Sequence, residues 1–167
     1  MRRTVASIWY RWLPACCLVI VTVSVAVAGG EQRIVTLGNG ADIPVWRFPA
    51  QGRAALLWLP SEYGTRANQE ITAAGLSARG YDVWVADLHA AYFVAPGRDR
   101  IQQFPVADVV GVAEKILTTG KEQLFLMSAG KGAGLALRVG RALQRSDTAR
   151  RSARGFLLFN PYLSQGR

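Results

Sequence analysis

The chain has 167 residues, half of them apolar and 19% charged, with 20 lysines and arginines against 11 aspartates and glutamates. That length fits one domain, and so apolar a composition supports a packed core and excludes a disordered chain. Two cysteines, Cys16 and Cys17, and a single histidine, His89, cannot form a metal-ligand cluster, so no metal and no cofactor is expected.

The amino terminus reads as an export signal. Met1 to Trp12 carries Arg2, Arg3 and Arg11, and Leu13 to Ala28 is an uncharged apolar run ending in Ala26-Val27-Ala28 before Gly29-Gly30. A positive region, a short apolar region and a small-residue site are the parts of a cleavable signal peptide. The run is shorter than the roughly 20 residues a membrane span needs. Residues 1–28 are therefore expected to be removed, leaving residues 29–167 as a periplasmic or extracellular domain. The alternative is a membrane anchor over residues 13–28, with Trp9, Tyr10 and Trp12 at the interface. Arg2-Arg3 is followed by Thr4-Val5-Ala6, a poor twin-arginine match, and Leu13-Pro14-Ala15-Cys16 precedes the apolar stretch, where a lipidation box would follow it. Cleavage takes both cysteines, so the mature chain would hold no disulfide and no thiol nucleophile.

Arg33 to Leu37 and Ile43 to Phe48 are short strand-like runs around Gly38-Asn39-Gly40, a turn signal, and predict an antiparallel hairpin. Ala54 to Leu59, Val83 to Ala86, Leu124 to Met127 and Phe156 to Phe159 are continuous apolar runs, the pattern of strands buried on both faces. Between them lie helical periods: Ala67, Ile71, Ala74 and Ala78; Val106, Val109, Val110, Ala113 and Leu117; Ala133, Ala136, Val139, Gly140 and Leu143. Gly80 and Gly120 close the first two, and Pro105 opens the second with Asp108 in its first turn. Strand and helix alternate, so the fold class is α/β, a three-layer sandwich around a mostly parallel sheet. The intervening segments Ala95 to Gln103 and Ser146 to Arg154 read as flexible loops. Arg138, Arg141, Arg145, Arg150, Arg151 and Arg154 read as a solvated face; no aromatic residue interleaves with them, so no nucleic-acid partner is expected.

Residues 124–137, LFLMSAGKGAGLAL, join an apolar run to an amphipathic helical pattern through a glycine-studded turn. A glycine-rich turn at a helix amino terminus presents N–H groups and a favourable dipole to anions, which makes Ser128, Gly130, Lys131 and Gly132 a candidate anion-binding turn. Nucleotide-specific patterns fail there. A phosphate loop wants glycine at 125 and serine or threonine at 132, where the chain has Phe125 and Gly132, and the dinucleotide pattern meets Leu135 in place of its third glycine.

From Leu56 to Ser164 the order of elements resembles the first two thirds of an α/β hydrolase, closest to the dienelactone hydrolase and esterase-like group. Three passages carry the resemblance: Leu56 to Gly64, Ser77 to Leu88, and the turn just described, which is similar to the G-x-S-x-G nucleophile elbow. On that pattern Ser128 takes the first glycine position, Gly132 the last, and Gly130 the place of the nucleophile. The resemblance implies an oxyanion loop at Ser61, Glu62, Tyr63 and Gly64, with Glu62 facing a ligand or bracing the loop and Asp87 bracing the loop after its strand. It also implies an acid and a histidine after the seventh and eighth strands, and this chain stops just past its sixth. The expectation is a hydrolase-like domain, truncated and catalytically incomplete. One alternative is a non-catalytic module that binds a small acyl or carboxylate ligand, or a partner, in the elbow cleft. Another is an active site rearranged around Ser128 and His89, although Ser128 sits early enough to cap the next helix or satisfy turn amides. Phe156 to Phe159, left at the sheet edge, is expected to favour self-association.

Overall fold

The computed structural model describes residues 29–64 and 67–163. The expected export signal lies outside the described residues. Among these, no helix is long and apolar enough to cross a membrane.

The first two strands, β1 (Glu31–Thr36) and β2 (Asp42–Phe48), form the expected antiparallel hairpin, with Gly40 at φ +83° supplying the left-handed turn residue. They are followed by β3 (Ala54–Trp58), α1 (Ala67–Ser77), β4 (Asp82–Ala86) and a single-turn α2 (Leu88–Ala91). A 3-10 turn over Arg100–Gln103 then leads to α3 (Val106–Leu117), β5 (Gln123–Ala129), α4 (Gly132–Leu143) and β6 (Ala153–Phe159). The six strands lie in the order β1-β2-β4-β3-β5-β6. The hairpin joins β4 antiparallel, and β4, β3, β5 and β6 run parallel.

Alternation along each strand sorts the core into two layers. Ala55, Leu57, Trp84, Leu124 and Leu126 face one way, where Val109, Val112, Ala113 and Ile116 of α3 and Leu135, Ala136, Val139 and Leu143 of α4 cover them. Leu56, Trp58, Val83, Val85 and Met127 face the other way, with Ala73 of α1 as the fully buried helical residue against them. These strands are apolar without interruption because both faces are covered. β6 is at an edge, and Phe156, Leu157 and Phe159 are 41%, 37% and 48% exposed there.

Two readings of the sequence need correction. The buried line of α1 runs through Ala73 and Ser77, while Ile71 is 74% exposed. The segments read as flexible loops carry core residues, Ile101 in the 3-10 turn and Ala149 before β6.

Asp108, in the first turn of α3, is buried and ties three distant segments together. It accepts from Asn39 Nδ2 at 2.8 Å and from the Tyr92 hydroxyl. Burial, and then the bond to Asp108, push the Tyr92 phenol above its ordinary value of about 10. A raised phenol favours the neutral form in the folded state, so its contribution to stability is complete below pH 10 and is lost as the pH climbs toward the raised value. Tyr92→Phe should therefore cost about 1 kcal/mol at neutral pH, the net worth of one hydrogen bond, and the difference from the parent should shrink above pH 10. Denaturant unfolding of both proteins from pH 7 to pH 11 measures it.

Candidate functional site

The parallel strands bring their carboxyl ends together, the edge where open α/β sheets bind ligands. Trp58 of β3 pairs with Met127 of β5, and the Leu59 N–H donates to the Met127 carbonyl at 2.8 Å. From this edge emerge the loop after β3 and the turn between β5 and α4.

That turn has the sharp strand-to-helix form expected of it. Gly130 sits at φ +54°, its N–H donating to the Phe159 carbonyl at 3.1 Å and its carbonyl accepting from the Tyr162 N–H at 2.9 Å. Gly132 is required by packing, because a Cβ there would lie 2.2 Å from both the Pro60 carbonyl oxygen and Ser128 Oγ. At Gly130 the neighbour is the end of a flexible side chain, the Glu62 carboxylate, which would have to move to admit a Cβ. A Cβ at 130 would lie 2.5 Å from Glu62 Oε2 and 2.9 Å from Oε1, so the Glu62 head fills the volume in which any side chain of residue 130 would begin. The same Oε2 accepts the Lys131 backbone N–H at 2.9 Å.

The loop that delivers Glu62 is held at both ends. The Gly64 N–H donates to the Ser61 carbonyl at 3.1 Å, and the Tyr63 N–H to Ser61 Oγ at 3.2 Å. His89, in α2, is buried with Nε2 facing the Ser61 carbonyl at 3.2 Å and Nδ1 facing the Val94 carbonyl at 2.8 Å. Its ring meets Phe104 edge-on at 5.0 Å. Asp87 caps α2 by accepting the Ala90 N–H at 2.9 Å, the bracing role expected of it.

No hydrogen bond joins Ser128 to His89. Ser128 is fully buried, and its hydroxyl donates to the Leu59 carbonyl at 3.4 Å. It neither caps α4 nor satisfies turn amides: at the last pleat of β5 its side chain points across to the end of β3. His89 faces a backbone carbonyl with each nitrogen, and the neutral ring can donate to one of the two.

A cavity of about 470 Å³ opens over the turn, lined by Trp58, Glu62, Tyr63, Thr72, Gly130 and Phe159 among others. The Trp58 and Phe159 rings, both in its lining, stack on one another with centroids 6.5 Å apart, and the buried Trp58 Nε1–H has no acceptor among the described residues. A larger cavity, about 730 Å³, shares no lining residue with it and is basic, with Arg98, Lys131 and Arg138. Lys131 turns its side chain there, with Nζ 3.3 Å from Asp99 Oδ1 and 5.3 Å from the centre of the Tyr162 ring. No cluster of potential metal ligands occurs among the described residues.

No family model matches the sequence, and no curated protein matches it. Solved structures do match. The thioesterase domain from the curacin biosynthetic pathway superposes with a TM-score of 0.57 at 16% identity, over 83% of this chain and 48% of that one. The fold is that of the α/β hydrolases. An N-formylmaleamic acid deformylase from Pseudomonas putida S16 gives 0.55 at 21% identity over 80% and 48% of the two chains. An epoxide hydrolase from Vigna radiata gives 0.52 at 20% identity over 78% and 40%. The chain thus spans less than half the length of these α/β-hydrolase-fold structures. The Glu62 to Gly130 contact is not legible in the sequence: local pattern marks both residues, but nothing in their spacing says that one fills the other's place.

Proposed function

We propose that residues 29–167 form an exported, non-hydrolytic domain of the α/β-hydrolase fold that binds a small ligand in the cavity over the β5–α4 turn. One observation carries this reading: the side-chain volume at Gly130, where the fold would hold its nucleophile, is filled by the Glu62 carboxylate. The Lys131 N–H, from the residue after the nucleophile position, is one of the amides that stabilise a developing oxyanion in this fold. Here it is spent on Glu62. The alternative Ser128/His89 site gains no support, since Ser128 is buried against a carbonyl and the His89 ring faces the Ser61 and Val94 carbonyls. The dienelactone-hydrolase flavour of the loop after β3 then marks descent of the scaffold and not its present chemistry. What persists is a concave site of the size that takes small molecules, with aromatic walls and a few polar groups.

The test is covalent and kinetic together. The protein is incubated with a serine-directed fluorophosphonate and its intact mass recorded, and p-nitrophenyl butyrate is assayed alongside. No adduct and no turnover above buffer are expected. A stoichiometric adduct on Ser128 would overturn the reading.

A further inference from the structure

The positive charge of this domain is gathered on one side of it. Residues 29–137 hold ten basic and ten acidic side chains and balance, whereas residues 138–154 hold six arginines and the single acid Asp147. All six arginines, Arg138, Arg141, Arg145, Arg150, Arg151 and Arg154, are exposed. None of them forms an ion pair with an acidic side chain, and since all 11 aspartates and glutamates of the chain are among the described residues, none is left elsewhere to supply one. Like charges so crowded repel one another, and an anionic neighbour relieves them.

The fold sets apolar side chains among these charges. Leu137, Arg138 and Arg141 form the outward stripe of α4, opposite the buried Ala136, Val139 and Leu143, and Arg145 follows in the next turn. On β6, Arg154 and Phe156 share one face of the strand, and the Phe156 ring lies against α4 where Gly140 leaves room for it: a Cβ there would be 2.3 Å from Phe156 Cζ. At the other end of α4 the basic cavity of about 730 Å³ opens onto the same stripe, with Arg98, Lys131 and Arg138 around Leu137, Tyr162 and Leu163. Its one acid, Asp99, is already met by Lys131. Leu137, Phe156, Tyr162 and Leu163 are all exposed. Arginines alone would suit any polyanion, but leucines cannot stack on bases, whereas at a bilayer surface they bury against acyl chains while the guanidinium groups reach the phosphates.

We propose that the outer face of α4, with the basic cavity at one end and the 150–156 segment at the other, docks the domain on an anionic lipid bilayer. The arginines meet the phosphate headgroups, and Leu137, Phe156, Tyr162 and Leu163 enter the headgroup and acyl boundary. This surface shares no residue with the cavity over the β5–α4 turn, so it stands apart from the ligand-binding reading.

The full chain is titrated with vesicles of phosphatidylcholine alone and of phosphatidylcholine mixed with phosphatidylglycerol, and partition is read by co-sedimentation. The mixed vesicles should hold it more tightly, and the advantage should shrink as sodium chloride rises. Arg141→Gln combined with Arg145→Gln should cut that advantage by on the order of tenfold, and Arg150→Gln with Arg151→Gln, in the loop before β6, is the second pair if the first does not fold. Arg2, Arg3 and Arg11 are unchanged in every protein compared, so any preference they add is constant. Leu137→Gln should weaken binding to the mixed vesicles about threefold and leave retention on heparin unchanged. Equal binding to the two kinds of vesicle, or an advantage that survives both arginine pairs, would overturn the proposal. A DNA duplex bound more tightly than the mixed vesicles, with Leu137→Gln indifferent toward both, would also overturn it and assign the face to nucleic acid.

Discussion

Asp82→Ala is expected to destabilise the domain by about 3–5 kcal/mol, the cost of leaving a buried cation without its partner. Asp82 is completely buried at the start of β4. Its two oxygens accept from Arg47 Nε at 3.0 Å and Nη2 at 2.7 Å, a bidentate fork, while Lys121 Nζ lies 3.1 Å away. Arg47 also stacks over the Trp84 ring, with 4.7 Å from its guanidinium carbon to the ring centre. The hydrogen bond to Asp82 outweighs the opposing effect of burial and holds the Arg47 guanidinium above its ordinary range. With Asp82 gone, Lys121 keeps the carbonyls of Ala50 and Gly52, and Arg47 keeps only the weaker attraction of Glu31, its cross-strand neighbour on β1. Domains of this kind are stable by only about 5–15 kcal/mol. At about 2–4 °C per kcal/mol for this size, the melting temperature should fall by on the order of 10 °C. Thermal melts followed by circular dichroism give the answer, and a fall of under about 3 °C would mean that the cluster contributes little. The cluster joins β2, β4 and the entry to β5 at the end of the sheet opposite the cavity, so its loss should act on stability with little effect on ligand affinity.

Gly130→Ser should be destabilising and should produce no hydrolase. A Cβ at φ +54° costs about 1–2 kcal/mol for an L-residue, and this one would also expel the Glu62 carboxylate from 2.5 Å. The expelled carboxylate loses its bond to the Lys131 N–H, a charge-assisted bond worth about 1.5–3 kcal/mol. Together these predict a loss of about 2.5–5 kcal/mol. Glu62→Ala removes the obstacle, so the double variant should be more stable than the two single losses imply, with a coupling of about 1 kcal/mol or more. Urea unfolding of the four proteins completes the cycle, and strict additivity would show that the carboxylate yields freely. Turnover should stay at background in both serine-bearing variants. The chain's single histidine is fixed on Ser61 and Val94 carbonyls, so the introduced hydroxyl meets no histidine base.

Much of the scaffold was legible before any coordinates. β3, β4 and β5 stand out because burial on both faces demands unbroken apolar runs, whereas the equally apolar run of β6 is an exposed edge, and α4 is legible from Ala133 through Leu143 because Arg138 and Arg141 contrast with its buried positions. Short elements escaped. α2 and the 3-10 turn are too brief to show a period, and the tips of β5 and β6 extend into polar or small residues that carry no signal. The candidate site was half legible. Gly130 and the loop from Ser61 to Gly64 could be picked out by local pattern, because turns need particular residues at particular angles. Their relation to each other could not be read, since the Glu62 to Lys131 bond spans 69 positions and arises from the packing of β3 against β5. The same holds for Asn39, Tyr92 and Asp108, three unremarkable polar residues until the fold closes them into one network.

The two layers of the core are unequal, and this bears on how the cavity can be entered. α3 and α4 are fastened by a broad apolar surface, whereas α1 commits a single fully buried apolar side chain, Ala73, to the sheet. Detaching α1 sacrifices far less buried area than detaching any other long helix, and regions with few buried apolar contacts open at the lowest free energy. Asn68, Gln69 and Thr72 of this same helix form one wall of the cavity. The site thus has the β5–α4 turn as its floor and a lightly fastened helix as one side wall, whose partial release would enlarge the entrance while the sheet stays intact.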